Sequence, residues 1–226
     1  ALIGGLVAGG VRHLVLSPGS RSQALALVAA EFERRGAVRL HVRIDERVAG
    51  FVALGIGRES GMPAALVCTS GTATANYLPA VLEAHHAGVP MLLLTADRPP
   101  ELRGIGANQA TRQPGLYAGF TRWEADLPVP TETDETGTGD QTMMLRRTAA
   151  DALAAARGEN GRPAGPVHLN LPYRDPLAGS LPGWLTAPVG TPAVDVAPPE
   201  PSGALYQGGG GIGGSEGANE AGTAEV

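Results

Sequence analysis

Short apolar, β-branched runs alternate with helical patterns along the first half of the chain, and this alternation constrains the fold more than any other feature. Such runs are typical of a parallel sheet with helices on both sides, because each crossover returns the chain over one face of the sheet. Two further runs follow a long polar stretch. The sequence therefore predicts an α/β fold with a doubly wound, mainly parallel sheet of about six strands. The predicted strands are residues 11–16, 38–44, 64–68, 89–95, 120–125 and 166–171.

Domain organisation follows from length and from a change in composition. The chain has 226 residues, which is enough for one α/β domain of ordinary size with a buried core. We predict that this domain covers residues 1–175. The proline-punctuated residues 176–201 are predicted to be a linker, and residues 202–226, which contain nine glycines, are predicted to be disordered. The chain starts at Ala1 inside a helical pattern, which predicts a fragment of a longer protein.

Charge and hydropathy argue against two classes of partner. The 17 Lys and Arg are dispersed, and with 22 Asp and Glu the formal net charge is -5, so we expect no nucleic-acid binding. No apolar run approaches the roughly 20 residues that cross a bilayer, and the chain opens without a signal-peptide pattern. We therefore expect no membrane insertion and a cytoplasmic location. The single cysteine, Cys68, lies in an apolar run, which excludes an internal disulfide and suits a reducing compartment.

The acidic turn Asp45–Glu46 is the first candidate site. It joins the predicted strand 38–44 to a helical pattern that is rich in small residues. One interpretation is structural, because an Asp at the N-cap and a carboxylate in the first turn both favour a helix start. The other is functional, because each helical glycine costs about 1 kcal/mol relative to alanine, and such a helix usually lets a backbone or a ligand come close. We choose Glu46 as the residue on which function depends. The glycines are Gly50, Gly55 and Gly57.

Hydrogen-bonding residues follow four of the predicted strands, where ligands gather in sheets of this kind. Two of these residues are arginines, and a guanidinium group can bind a carboxylate through two parallel hydrogen bonds. For each arginine taken alone, an ion pair on the protein surface is an equal alternative to binding a ligand. The loops at 17–22 and 69–72 match no phosphate-binding motif. We find no metal-ligand cluster and no serine-nucleophile motif, so we predict no metal site. The candidates are Ser20, Arg21, Glu46, Ser70, Thr72, Asp97, Arg98, Asn108 and Gln109.

Five motifs carry a resemblance to a known family. With them the chain resembles the N-terminal, pyrimidine-binding domain of thiamine diphosphate enzymes, and more narrowly the 2-succinyl-5-enolpyruvyl-6-hydroxy-3-cyclohexene-1-carboxylate (SEPHCHC) synthases of menaquinone biosynthesis. The related acetolactate synthases carry a His-Glu pair at the acidic turn and Ser-Gly-Pro-Gly where this chain has Ser70-Gly71-Thr72. The motifs span nearly all of the predicted domain. They are SPGSRS (17–22), RIDERVAGFVALG (43–55), TSGTATAN (69–76), TADRPPELRGIGANQ (95–109) and GPVHLNLP (165–172).

The resemblance implies a cofactor, two substrates and residue roles. Thiamine diphosphate would be the cofactor, with Mg²⁺ and the diphosphate held by a C-terminal domain. Glu46 would hydrogen-bond N1′ of the aminopyrimidine, and the cofactor would also contact Ser70, Gly71 and Thr72. The implied reaction decarboxylates 2-oxoglutarate and adds its succinyl unit to isochorismate. The residues that would hold these substrates are Ser20, Arg21, Arg98, Asn108 and Gln109.

The chain also departs from this family. Family members are more than twice as long, and nothing in residues 176–226 resembles their central or diphosphate-binding domains. Their active sites form between two subunits, which implies a homodimer or dimer of dimers at full length and half a site, without activity, for this chain alone. Two hypotheses stay open: a fragment of the synthase, or a non-catalytic binding or regulatory module built on the same domain.

Overall fold

A computed structural model of the chain describes residues 1–131, 139–159, 161–181 and 183–186. The strands are β1 (His13–Leu16), β2 (Arg39–Val42), β3 (Ala64–Cys68), β4 (Met91–Asp97), β5 (Trp123–Asp126) and β6 (Pro166–Pro172). The helices are α1 (Leu2–Ala8), α2 (Gln23–Arg34), α3 (Glu46–Ser60), α4 (Thr72–Ala75), α5 (Leu78–Ala87), α6 (Asp140–Arg157) and α7 (Gly183–Thr186). Short 3₁₀ turns cover Ser20–Ser22 and Pro100–Leu102.

The strands form one sheet in the order β2-β1-β3-β4-β6-β5, and every neighbouring pair is parallel. The predicted doubly wound parallel sheet of about six strands is confirmed. From β1 the chain moves outward to β2 and then crosses back to β3 on the other side of β1. The winding direction therefore reverses between β1 and β3, and the loops that follow these two strands flank the point where ligands bind in open α/β sheets.

Two apolar clusters cover the two faces of the sheet. One joins side chains of α1, α2 and α6 to the sheet, and the other joins side chains of α3 and α5 to the opposite face. Strands β3, β4 and β6 are buried at every position. The edge strands β2 and β5 are partly exposed. The continuous apolar runs of the sequence therefore mark the strands that helices cover on both sides.

Several predicted boundaries were wrong. The helix predicted for residues 73–86 is two helices, α4 and α5, separated by Asn76 and the fully buried Tyr77. Pro79 lies in the first turn of α5, where its missing N–H costs nothing. The strand predicted from residue 120 begins at Trp123 because the backbone N–H of Phe120 is used in a turn with Tyr117.

Parts of the predicted organisation fall outside the described residues. Most of the acidic stretch 131–139, most of the predicted linker and all of the predicted disordered tail, 202–226, are of this kind. The short helix α7 falls within the predicted linker.

The glycines of α3 show why this helix is rich in small residues. A Cβ at Gly57 would lie 2.5 Å from the backbone oxygen of Pro90, and one at Gly50 would lie 2.9 Å from Cβ of Ala80. A Cβ at Gly55 would meet nothing within 4 Å. The expected close approach of another backbone is thus present at Gly57, where α3 crosses the start of β4.

We expect Gly57→Ala to destabilise the protein and Gly55→Ala to stabilise it. At Gly55 alanine gains helix propensity, roughly 0.5 to 1 kcal/mol in free energy of unfolding. At Gly57 the same gain is outweighed by overpacking against backbone, which typically costs about 1 to 3 kcal/mol. Urea unfolding of the two variants measures the difference. A shift of both variants in the same direction would contradict the packing that is described for α3.

Candidate functional site

The loops after β1 and β3 meet at the carboxyl edge of the sheet. Gly19 lies against Thr69 so closely that a Cβ there would be 2.3 Å from Cβ of Thr69. The loop after β4 joins them, because Ser70 Oγ donates a hydrogen bond of 2.9 Å to the backbone oxygen of Gln109. The structure therefore brings together three of the four polar segments that follow the predicted strands.

Glu46 opens α3 without serving as its cap. The cap is Asp45, whose Oδ1 accepts a hydrogen bond of 2.9 Å from the backbone N–H of Val48. Glu46 is half-buried, and within the described ranges its carboxylate has no hydrogen bond or ion pair. Its negative charge is one cause that raises the pKa of the buried Cys68 thiol, after burial itself, so Glu46 lies near β3. The structural interpretation of the acidic turn is thus satisfied by Asp45 alone, and Glu46 is left free for another partner.

Apolar side chains are exposed at the start of α3. Ile44 is 82% exposed, Val48 is 49% exposed and Phe51 is 44% exposed. Exposed apolar side chains that lie together are typical of surfaces that a second protein covers.

The Ser70–Gly71 peptide is held on both sides. The N–H of Gly71 donates to Oε1 of Gln113 at 2.9 Å, and the backbone oxygen of Ser70 accepts from Nε2 of Gln109 at 3.2 Å. Gly71 has φ +84°, and a Cβ there would lie 2.9 Å from the Gln109 oxygen. A side chain at this position would therefore push the two loops apart. Gln109 itself has φ +53°, a conformation that residues with a side chain adopt mainly at functional or strained sites.

Arg98 joins these two loops through its guanidinium group. Nη1 donates to Oγ of Ser70 at 3.0 Å, and Nη2 donates to the backbone oxygen of Asn108 at 2.7 Å. Burial lowers the pKa of Arg98, and the positive charge of Arg21 lowers it further. The two arginines are therefore close enough to repel each other, and an anion between them would relieve the repulsion.

Arg21 is almost fully buried, with 7% of its surface exposed. Its Nη1 donates to the backbone oxygen of Tyr173 at 2.9 Å and lies 3.5 Å from Oδ2 of Asp175. Its buried Nε has no hydrogen-bond partner in the part of the chain that the structure describes. The guanidinium group is thus partly engaged by the segment that follows β6, and its buried Nε remains without a partner among the described residues.

Four of the predicted site residues are exposed, and one of them, Gln109, uses its side-chain amide in a hydrogen bond to the backbone oxygen of Ser70. Ser20, Thr72 and Asn108 are exposed, and their side chains make no hydrogen bond to any described residue. Asn108 takes part in the site through its backbone oxygen, and the backbone oxygen of Thr72 accepts a hydrogen bond from Nδ2 of Asn76. These side chains remain available to a ligand.

Sequence reasoning missed Gln113, Asn170, Arg103 and Asp126. Gln113 and Asn170 are fully buried, and they connect Gly71 to the acidic side chains at the ends of β4 and β5. A signal existed for Asn170, because it is a polar residue inside an apolar strand and buried polar groups need partners. Nothing in the polar loop 101–115 distinguished Gln113 from its neighbours.

The histidines carry no metal site. Among the residues described, no group of three or more His, Cys, Asp or Glu side chains is placed to hold a metal ion. His168 is buried, its Nε2 shares a hydrogen bond of 2.7 Å with Oγ1 of Thr95, and burial lowers its pKa to about 4. His13 and His41 are hydrogen-bonded to each other at 2.9 Å across β1 and β2. No helix in the described part of the chain is long and apolar enough to cross a membrane.

The sequence of this chain matches a known protein family and several named proteins. Residues 1–116 match the family described as thiamine pyrophosphate enzyme, N-terminal TPP binding domain. The chain is 58% identical to the SEPHCHC synthase of Leifsonia xyli subsp. xyli over 80% of this chain and 30% of that protein. It is 52% identical to the SEPHCHC synthase of Kineococcus radiotolerans over 79% of this chain and 31% of that protein. For the Geobacillus kaustophilus synthase the identity is 48%, over 78% and 29%.

The chain thus spans about 30% of the length of the curated relatives that it matches. The family match covers β1 to β4, the acidic turn and the loops that meet at the carboxyl edge of the sheet. The chain belongs to the thiamine pyrophosphate (thiamine diphosphate) enzyme family, and its matched part is the N-terminal cofactor-binding domain of that family.

Proposed function

We propose that this chain is the pyrimidine-binding domain of a SEPHCHC synthase, a transferase of menaquinone biosynthesis. The observation that carries the proposal is the Glu46 carboxylate, which stands at the start of α3 without a partner among the described residues, while Asp45 caps the helix. The similarity to proteins named as this synthase, at 46 to 58% identity, supports the choice of reaction.

The residues present fit an aminopyrimidine ring. Glu46 would hold a proton against N1′ of that ring, because its half-buried carboxylate has no partner among the described residues. When bound, thiamine diphosphate supplies the electron sink that allows a 2-oxo acid to lose carbon dioxide. Ser70, Gly71 and Thr72 would line the cofactor, since their loop flanks the point where the winding of the sheet reverses.

The two arginines fit acidic substrates. We assign 2-oxoglutarate and isochorismate as the substrates, with their carboxylates directed to Arg21 and Arg98. The mutual repulsion of these cations and the unpartnered Nε of Arg21 favour an anion between them. The exposed side chains of Ser20 and Asn108, together with the amide of Gln109, would bind the remaining carboxylate and hydroxyl groups.

We propose that the complete site forms between two subunits of a homodimer or a dimer of dimers in the cytoplasm. The apolar side chains of Ile44, Val48 and Phe51 suit such a covered surface. By its resemblance to the family, Mg²⁺ and the diphosphate would be held by a different domain of the complete enzyme. Residues 1–175 would be the pyrimidine-binding domain.

The proposal is tested on the complete enzyme that carries this domain. Release of carbon dioxide from 2-oxoglutarate should require thiamine diphosphate, Mg²⁺ and isochorismate together. Turnover that does not depend on thiamine diphosphate would refute the assignment. Binding of the cofactor without any turnover would instead favour a regulatory module.

A further inference from the structure

A chain of buried hydrogen bonds connects the acidic ends of β4 and β5 to the loop after β3. It starts at Asn170 in β6, whose Nδ2 donates to Oδ2 of Asp97 at 2.9 Å and to Oδ1 of Asp126 at 2.8 Å. Arg103 pairs with the same two carboxylates, at 2.9 Å to Asp97 and 2.6 Å to Asp126. The acidic pair is thus neutralised in part, and its oxygens can only accept the amide protons of Asn170.

The direction of each bond in this chain is determined by its chemistry. Because carboxylates only accept, the amino group of Asn170 faces them and its Oδ1 faces Gln113, whose Nε2 donates to it at 2.9 Å. The same Nε2 donates to the backbone oxygen of Ala96 at 3.1 Å. Both protons of the Gln113 amide are therefore used on acceptors, and its Oε1 must point the other way.

The free oxygen of Gln113 then fixes a peptide of the candidate site. It accepts the N–H of Gly71 at 2.9 Å, and the N–H and C=O of one planar peptide bond point in opposite directions. The backbone oxygen of Ser70 is therefore turned away from Gln113 and toward Gln109, whose Nε2 donates to it at 3.2 Å. The orientation of the Gln109 side-chain amide is thus linked to that of Gln113 through one peptide.

We propose that Gln113 is a positioning residue that orients the Ser70–Gly71 peptide and, through it, the side-chain amide of Gln109 toward the substrate. The role of Gln109 rests on the proposed function, whereas the orientation of the peptide does not. Gln113 touches no ligand, because it is fully buried behind Gly71. It acts by having a donor on the side of Asn170 and an acceptor on the side of Gly71.

The proposal is tested with Gln113→Glu, which keeps the shape of the side chain and makes its hydrogen bonding depend on pH. A neutral carboxyl can accept from Gly71 and donate to Asn170 as the amide does, whereas a carboxylate can only accept. The new group would face Asp97 from β4, Asp126 from β5, His168 from β6 and the cation of Arg103. Burial beside two carboxylates raises the pKa of an acid, so the neutral form gains population as the pH falls.

The readout is the ¹⁵N–¹H amide resonance of Gly71 in the 226-residue chain. In Gln113→Glu we expect this resonance to be displaced at about pH 9 and to return toward its wild-type position at about pH 6. In Gln113→Met it should be displaced at both pH values. Gln141→Glu is the matched control, because Gln141 also bridges backbone groups, from Val129 to Thr131, but takes no part in the hydrogen bonds from Asn170 to Gly71. A Gly71 resonance that stays at the wild-type position in both Gln113 variants would overturn the proposal.

The second readout compares the effects of the substitution on KM and on kcat in the complete enzyme. Gln113→Met should raise the KM for an acidic substrate about ten-fold and change kcat much less, because a misdirected amide weakens substrate binding. A fall in kcat with unchanged KM values would contradict a positioning role for Gln113. If the proposed function is wrong, the wild-type enzyme will lack synthase activity. The Gly71 resonance still tests whether Gln113 orients the Ser70–Gly71 peptide, because that measurement does not depend on activity.

Discussion

Gln in place of Glu46 is expected to leave the fold intact and to lower kcat of the complete enzyme by about 10² to 10⁴. The fold survives because Asp45, and not Glu46, accepts the capping hydrogen bond from Val48. A first-turn carboxylate contributes only a few tenths of a kcal/mol, up to about 1 kcal/mol, through the helix dipole. The rate falls because an amide cannot exchange a proton with N1′ of the aminopyrimidine. Steady-state rates and thermal unfolding of the same preparation measure the two effects.

Asp45→Asn is the matched control in the same turn. The asparagine side-chain oxygen can still accept a hydrogen bond from the N–H of Val48. We therefore expect a thermal unfolding temperature close to that of the wild type and a kcat within a few-fold of the wild-type value. Equal losses of rate in the Asp45 and Glu46 variants would show that the turn needs negative charge in general. Unchanged kcat in Glu46→Gln would return Glu46 to a structural role.

Arg98→Ala is expected to raise the KM for an acidic substrate ten- to a hundred-fold. Loss of a charged hydrogen bond typically costs about 1.5 to 3 kcal/mol, which corresponds to that range. Arg98 also joins Ser70 to Asn108, so its removal loosens the two loops as well as removing a cation. The KM of Arg98→Lys should lie between the values of the wild type and of Arg98→Ala, because lysine keeps the positive charge and loses the planar guanidinium fork. Substrate titrations of initial rate measure the KM.

Arg12→Ala separates these effects from the loss of any arginine. Arg12 donates to the backbone oxygens of Val7 and Val11, as Arg98 donates to that of Asn108, but it lies before β1 at the opposite edge of the sheet. We expect its KM values to match wild type. KM values for both substrates that stay unchanged in Arg98→Ala would show that Arg98 serves only to join the loops.

The fold was predictable because the apolar runs that sequence reasoning relies on are the strands that helices bury on both faces. Residues 64–68 and 166–171 illustrate this, since β3 and β6 are buried throughout. The break between α4 and α5 was not predictable from periodicity, because Tyr77 continues the apolar pattern of the sequence. In the structure Tyr77 lies between the two helices and is fully buried. Tertiary packing decided this boundary.

The position of the candidate site was predictable from the sequence, but the hydrogen-bond pairs within the site were not. Parallel strands place their carboxyl ends at one edge, so the loops after β1, β3 and β4 had to meet. Arg21 was expected to face a ligand, but its contact with Tyr173 depends on the path of a segment 152 positions away in the sequence. The bond from Gln113 to Asn170 likewise joins residues 57 positions apart. Periodicity carries no information on such distant pairs.

Exchange of the C2 proton of enzyme-bound thiamine diphosphate for deuterium tests the role of Glu46 most directly, because it needs no substrate. The rate is followed in the complete enzyme with Glu46, and in the Glu46→Gln variant at matched cofactor saturation. We predict that the variant binds the cofactor and loses most of the exchange, by about 10² or more. An exchange rate within a few-fold of wild type would contradict the claim that Glu46 acts on the cofactor.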